Sequence, residues 1–127
     1  MSHFTTIPTR LVDANQILQA LADLGYTVQQ GPVKVKGYLG QTTEAEFKIS
    51  LQHSGHDIGF RRGKDGYELL ADWRGISSLN RDDFVRQLNQ RYAWHAAQEA
   101  LTAEGFTLVE EEQQQNGTLH LVLRRAV

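Results

Sequence analysis

Apolar and polar positions alternate along this chain with two periods, and the switches between them divide it into elements. Phe4 to Val12 is rich in β-branched residues and carries Pro8, which cannot donate to a strand ladder, so it predicts an edge strand ending at Asp13. Ala14, Ile17, Leu18, Leu21 and Leu24 then recur at the spacing of one helix face. Asp13 can cap that helix, Gln16 stands three residues on as a capping box asks, and Gly25 is a natural stop. Tyr26 to Lys36 alternates loosely around Gly31-Pro32, while Ala45, Phe47, Ile49 and Leu51 alternate strictly; Gly37-Tyr38-Leu39-Gly40 joins these two strands.

The stretch from Asp57 to Ile76 predicts a second hairpin, turning at Gly63 to Gly66. Side chains alternate across a strand, so Ile58, Phe60, Arg62, Tyr67, Leu69, Ala71 and Trp73 share a core side, and Asp57, Gly59, Arg61, Glu68, Leu70 and Asp72 share a solvent side. Asn80 can cap a helix from Arg81 to Glu104, roughly 36 Å long at 1.5 Å per residue. Its core stripe holds Phe84, Leu88, Tyr92 and Ala96, with Leu101 further along and Gly105 as its stop. Phe106 to Glu112, an Asn116-Gly117 turn and Thr118 to Arg125 predict a last hairpin.

Ala20-Leu21 followed by Gly25-Tyr26-Thr27-Val28 recurs as Ala100-Leu101 followed by Gly105-Phe106-Thr107-Leu108, at a separation of 80 residues. This reads either as a duplicated strand-helix-hairpin unit or as the common way in which a chain leaves a helix and enters a sheet. Both readings predict one architecture: an α+β fold with an antiparallel sheet of about seven strands and two helices packed on one face. At 127 residues, a single globular domain over 1–127 is expected, able to bury roughly two-thirds of its unfolded surface.

Composition narrows the chemistry. No apolar run approaches a membrane span, and Met1 to Thr6 lacks the segments of a signal peptide. The absence of cysteine removes thiolate catalysis, disulfides and cysteine-held iron–sulfur clusters. A cytoplasmic or plastid-stromal protein without a cofactor is expected. A net charge of −2 lacks the basic excess that several phosphate contacts need, so nucleic acid is the third reading, through Arg61, Arg62 and Lys64.

The hairpin from Asp57 to Ile76 is the place where chemistry could gather. Asp57 falls across from Asp72, and Arg61 across from Glu68. Opposed carboxylates repel, which raises one pKa or attracts a cation, and a small-ligand or metal-dependent enzyme using Asp57 and Asp72 is one reading. Arg61 and Arg74 neutralising two solvated carboxylates is the plainer one. His53 and His56 beside Asp57 could also serve a metal, although a Ser-Gly loop is the usual setting of a solvated turn. Ser77 and Ser78 lack a nucleophile-elbow context. Trp94 lies off the main stripe of the second helix near Arg86, Arg91 and His95, which fits either a second core stripe or an interface. The leading reading is a non-catalytic adaptor for a protein partner, binding through Asp57, Arg61, Glu68, Asp72, Arg74 and Trp94.

Several segments together resemble the family of hypothetical chloroplast reading frame thirty-five, found in cyanobacteria and algal plastids with bacterial relatives. They are Ser2-His3-Phe4-Thr5-Thr6-Ile7, Ala20-Leu21-Ala22-Asp23-Leu24-Gly25, Tyr67-Glu68-Leu69-Leu70-Ala71-Asp72-Trp73, Gln90-Arg91-Tyr92-Ala93, Gly105-Phe106 and Asn116-Gly117 through Arg125. Two departures are visible: Arg74 replaces a second aromatic, and Ala126-Val127 an aromatic ending. The resemblance implies a setting, not a reaction. Such proteins tend to be encoded near a small companion protein, and in places near a ferredoxin or an AAA-type ATPase, which implies a protein partner.

Overall fold

Both helices begin where the sequence places their caps. In the computed structural model, which describes residues 4–51, 55–76, 78–113 and 119–125, Asp13 accepts the Gln16 N–H at 3.1 Å at the head of α1 (Ala14–Asp23). Asn80 accepts the Asp83 N–H at 3.0 Å at the head of α2 (Arg81–Ala103). A cap of this kind stabilises its helix by about 1 kcal/mol. Only half of the expected capping box forms. The Gln16 amide instead donates to Glu99 of α2 at 2.8 Å, and the Asp13 N–H donates to the Tyr92 hydroxyl at 3.2 Å, so the polar groups at the head of α1 tie the two helices together. Each helix ends on a left-handed glycine, Gly25 with φ 90° and Gly105 with φ 92°.

Five strands form one antiparallel sheet: β1 (Thr5–Pro8), β2 (Val28–Lys36), β3 (Thr42–Ser50), β4 (Asp57–Arg62) and β5 (Tyr67–Ala71), in the order β1-β5-β4-β3-β2. The β4–β5 turn closes through Gly63 N–H to Gly66 O at 2.8 Å and sets Arg61 opposite Glu68. Phe47, Ile49, Ile58, Phe60, Tyr67, Leu69 and Ala71 then share a core with Ile17, Ala20 and Leu21 of α1 and with Phe84 and Leu88 of α2. The helices therefore pack on one face. Among the described residues no helix is long and apolar enough to cross a membrane.

The expected sheet of about seven strands is divided. β6 (Phe106–Gln113) and β7 (Leu119–Arg125) pair with each other in a separate two-stranded ribbon. The 23 residues of α2 span about 34 Å, and the ribbon follows the end of that helix. The first strand is also shorter than expected, four residues ending at Pro8, and the Asn116-Gly117 turn lies outside the described residues.

The sheet's second face is partly covered, which strand alternation alone does not predict. A bulge between Gln30 and Val33 breaks the β2–β3 register. Beyond it, Val33 and Val35 of β2, with Ala45 of β3, pack on Leu70 of β5 and on Phe4. Val35 lies over Gly59 of β4 so closely that a Cβ at 59 would overlap its methyl group. The far half of the β2–β3 hairpin thus folds across the outer side of β4 and β5.

Candidate functional site

That cover relocates the residues expected to meet a partner. Asp57 is 3% exposed and Asp72 only 1%. The expectation that both carboxylates face solvent is corrected: their side of the strands is the predicted one, but the far half of the β2–β3 hairpin lies on top of it. Asp57 accepts the Lys36 N–H at 2.8 Å and the Lys48 ammonium at 3.0 Å. Lys48 also donates to Lys34 O at 2.7 Å, so this buried ion pair is tied into the backbone of β2 at both ends. Asp72 accepts the Tyr38 N–H at 3.1 Å through Oδ2, with His56 Nε2 4.0 Å from the same oxygen. Its Oδ1 accepts no hydrogen bond among the described residues.

The two aspartates stand at the same end of the β4–β5 hairpin, each turned to a different amide, Lys36 and Tyr38. Neither is directed at an open site. No group of three or more His, Asp or Glu side chains among the described residues is placed to hold a metal ion, and His53 and Ser77 lie outside those residues. The metal-dependent reading therefore has no supporting geometry here.

Of the other expected contact residues, Arg61 and Glu68 stay on the outer surface, paired at 3.4 Å. Arg74 is exposed on the short turn Trp73–Gly75 that follows Asp72. Trp94 is 8% exposed, the buried one of its two expected settings. It lines the crease between the helices with Asn15, Leu18 and Gln19, and the Arg91 guanidinium lies 4.8 Å above its ring. Two of the three cations proposed for nucleic acid, Arg61 and Arg62, are committed too. Arg62 donates to the Tyr67 hydroxyl at 2.8 Å and lies 3.9 Å from Glu46, and Arg61 has Glu68.

A second charged cluster joins α1, α2 and β6. Arg91 bonds Asp23 at 2.7 Å and Glu111 at 2.5 Å, and His95 Nε2 lies 2.6 Å from the same Asp23 oxygen. Desolvation pushes the Asp23 carboxyl up, but the hydrogen bonds and charges of Arg91 and His95 outweigh it and hold the group below its usual value. Arg91 is likewise driven down by burial and more than restored by Glu111 and Asp23. Both carboxylates of this cluster bond the Arg91 guanidinium, as in a structural clamp.

The residues left over are at the β2–β3 tip. Tyr38 is 42% exposed and Leu39 is 83% exposed. Leu39 has φ 53° and ψ 37°, the following Gly40 has φ 76°, and the Gln41 N–H donates to Tyr38 O at 3.1 Å. Two successive positive φ values make this a type I′ hairpin turn, whose first central position favours asparagine, aspartate or glycine. Leucine there costs about 1–2 kcal/mol of backbone strain. The alternation of the flanking strands marks Gly37-Tyr38-Leu39-Gly40 only as a connection. The available signal was a bulky apolar pair between glycines, where turn chemistry calls for small polar residues.

Comparison with known proteins places this geometry in a family. A family model described as "Protein of unknown function (DUF1257)" matches residues 20–122. The chain is 32% identical to the "Uncharacterized protein ycf35" of Cyanophora paradoxa, 36% identical to that of Guillardia theta and 31% identical to that of Pyropia yezoensis. Each match covers 98% of this chain and 98% of the relative. No solved structure matches the chain significantly. With such identity over nearly its whole length, the chain belongs to the ycf35 family.

Proposed function

We propose that this protein is a non-catalytic adaptor that engages a protein partner through the Tyr38–Leu39 tip of the β2–β3 hairpin. The observation that carries this reading is Leu39. It is the most exposed large apolar side chain among the described residues, and it occupies a left-handed position where leucine is disfavoured. The fold gains nothing from a leucine there. Strain held at an exposed apolar residue points to a use outside the fold. Tyrosine beside it adds a ring with a polar end, a side chain enriched at protein interfaces.

The flanks extend the contact. Lys36 precedes the tip and Arg74 follows Asp72, and both are exposed. A two-residue knob is small against the roughly 800 Å² per partner of a standard interface, so these cations and the rest of the tip complete it. A partner with an apolar pocket rimmed by carboxylates fits this surface. In an affinity capture from native extract, the unmodified protein is expected to retain a stoichiometric protein. Leu39→Asn and Tyr38→Ala are expected to lose it without lowering the thermal midpoint. Equal capture by all three would remove the tip from the function, and no capture by the unmodified protein would remove the adaptor reading.

A further inference from the structure

Resting on the reading of the tip as the contact, we infer that Asp72 is a positioning residue: a buried catch that holds the Tyr38–Leu39 tip in its presented orientation. The tip's own hydrogen bonds do not fix where it points. Gly37 N–H to Gln41 O at 2.8 Å and Gln41 N–H to Tyr38 O at 3.1 Å close the turn on itself, and they survive whichever way the turn leans. Among the described residues, one hydrogen bond runs from residues 37–41 to the rest of the protein, the Tyr38 N–H to Asp72 Oδ2. Packing adds the Phe4 ring against Gly37, where a Cβ would sit 2.8 Å from the ring.

The catch itself is rigidly mounted. Asp72 follows β5 directly, and it is followed by a single turn in which the Gly75 N–H donates to its backbone carbonyl at 3.1 Å. The His56 imidazole packs on Gly75, where an added Cβ would force the ring to move. His56 Nε2 in turn stands 4.0 Å from the Asp72 carboxylate. A full carboxylate, 1% exposed and with Oδ1 accepting nothing among the described residues, is more acceptor than one amide needs. The Asp72 carboxylate is thus the acceptor at the one hydrogen bond that ties the turn outward among the described residues. A partner sees only the fraction of molecules in which the tip is presented, so loosening the catch lowers apparent affinity without touching a contact atom.

Amide hydrogen exchange on the isolated protein tests this without any partner. The Tyr38 amide, outside every strand ladder, is expected to exchange on the order of ten-fold or more slowly than a free peptide. Exchange at the free-peptide rate would overturn the inference before any substitution is made. In Asp72→Ala the Tyr38 amide should lose that protection while Phe60 and Leu69 keep theirs; unchanged Tyr38 exchange in a folded variant would overturn it. If Asp72→Ala does not fold, the unmodified protein and Asp72→Asn decide, with the latter expected to retain partial protection because its amide oxygen still accepts. Capture separates the two ideas. Loss of partner in Leu39→Asn but not in Asp72→Ala would remove the catch and leave the adaptor. Protection that depends on Asp72, with no partner captured, would do the reverse.

Discussion

Val35 lies across Gly59, with the Ala45 methyl carbon beside it, and only a hydrogen fits at position 59. This contact seats the far half of the β2–β3 hairpin on β4. Gly59→Ala is expected to destabilise the protein by about 1–3 kcal/mol, the usual range for forcing a methyl group into a filled interior. Urea denaturation measures it directly. A midpoint equal to the unmodified protein's would mean that the hairpin does not lie where it is described.

Lys48 and Asp57 form an ion pair with side chains 9% and 4% exposed. Removing one partner leaves an uncompensated charge inside, so Lys48→Met should cost on the order of 3–5 kcal/mol. Adding Asp57→Asn removes that charge while keeping an acceptor for the Lys36 N–H. The double variant is therefore expected to be more stable than Lys48→Met alone. Simple addition of the two single effects in denaturant melts would show that the pair is not coupled.

Leu39 opposes stability where it stands. Leu39→Asn should raise unfolding free energy by about 1 kcal/mol, since asparagine tolerates the left-handed region that leucine resists. The same substitution should weaken partner capture, a trade of fold against function. A variant no more stable than the original would show that the leucine is held there by packing.

Asp23 predicts an acid-side pH dependence. Burial raises its pKa, but Arg91 and His95 more than reverse this, so the folded value lies below the ordinary 3.8. A group depressed on folding stabilises the native state above its unfolded pKa and loses that contribution as pH falls through the folded value. The unmodified protein should therefore lose stability as pH falls below about 3.8 more steeply than Asp23→Asn. Urea midpoints between pH 6 and pH 2.5 make the comparison, and parallel curves would place the acid sensitivity elsewhere.

Local pattern made most elements legible, because caps, glycine stops and strand alternation are short-range physics. Asp13, Asn80, Gly25 and Gly105 stand where their chemistry puts them, and the Arg61–Glu68 pairing followed from the turn length alone. What alternation could not reveal was which side of a strand is covered. Asp57 and Asp72 lie on the face opposite the helices, as their parity requires, and they are buried because a distant hairpin bends over them after a bulge at Gly31-Pro32. Trp94 was hard to place for a similar reason. On a helix that packs against both a sheet and another helix, burial does not follow one stripe, and Trp94 fills the crease toward α1 while Tyr92 reaches the α1 cap.

The anchoring of the tip also orders events in time. Arg61 and Glu68 meet across 7 residues, so the β4–β5 hairpin can close early at little entropic cost. Lys36 and Tyr38 must find Asp57 and Asp72 across 21 and 34 residues, on strands that have already formed. The tip is therefore expected to set last on refolding and to open first on unfolding. In a chevron experiment, Asp72→Asn should accelerate unfolding and leave the refolding limb nearly unmoved, the pattern of a contact absent from the transition state.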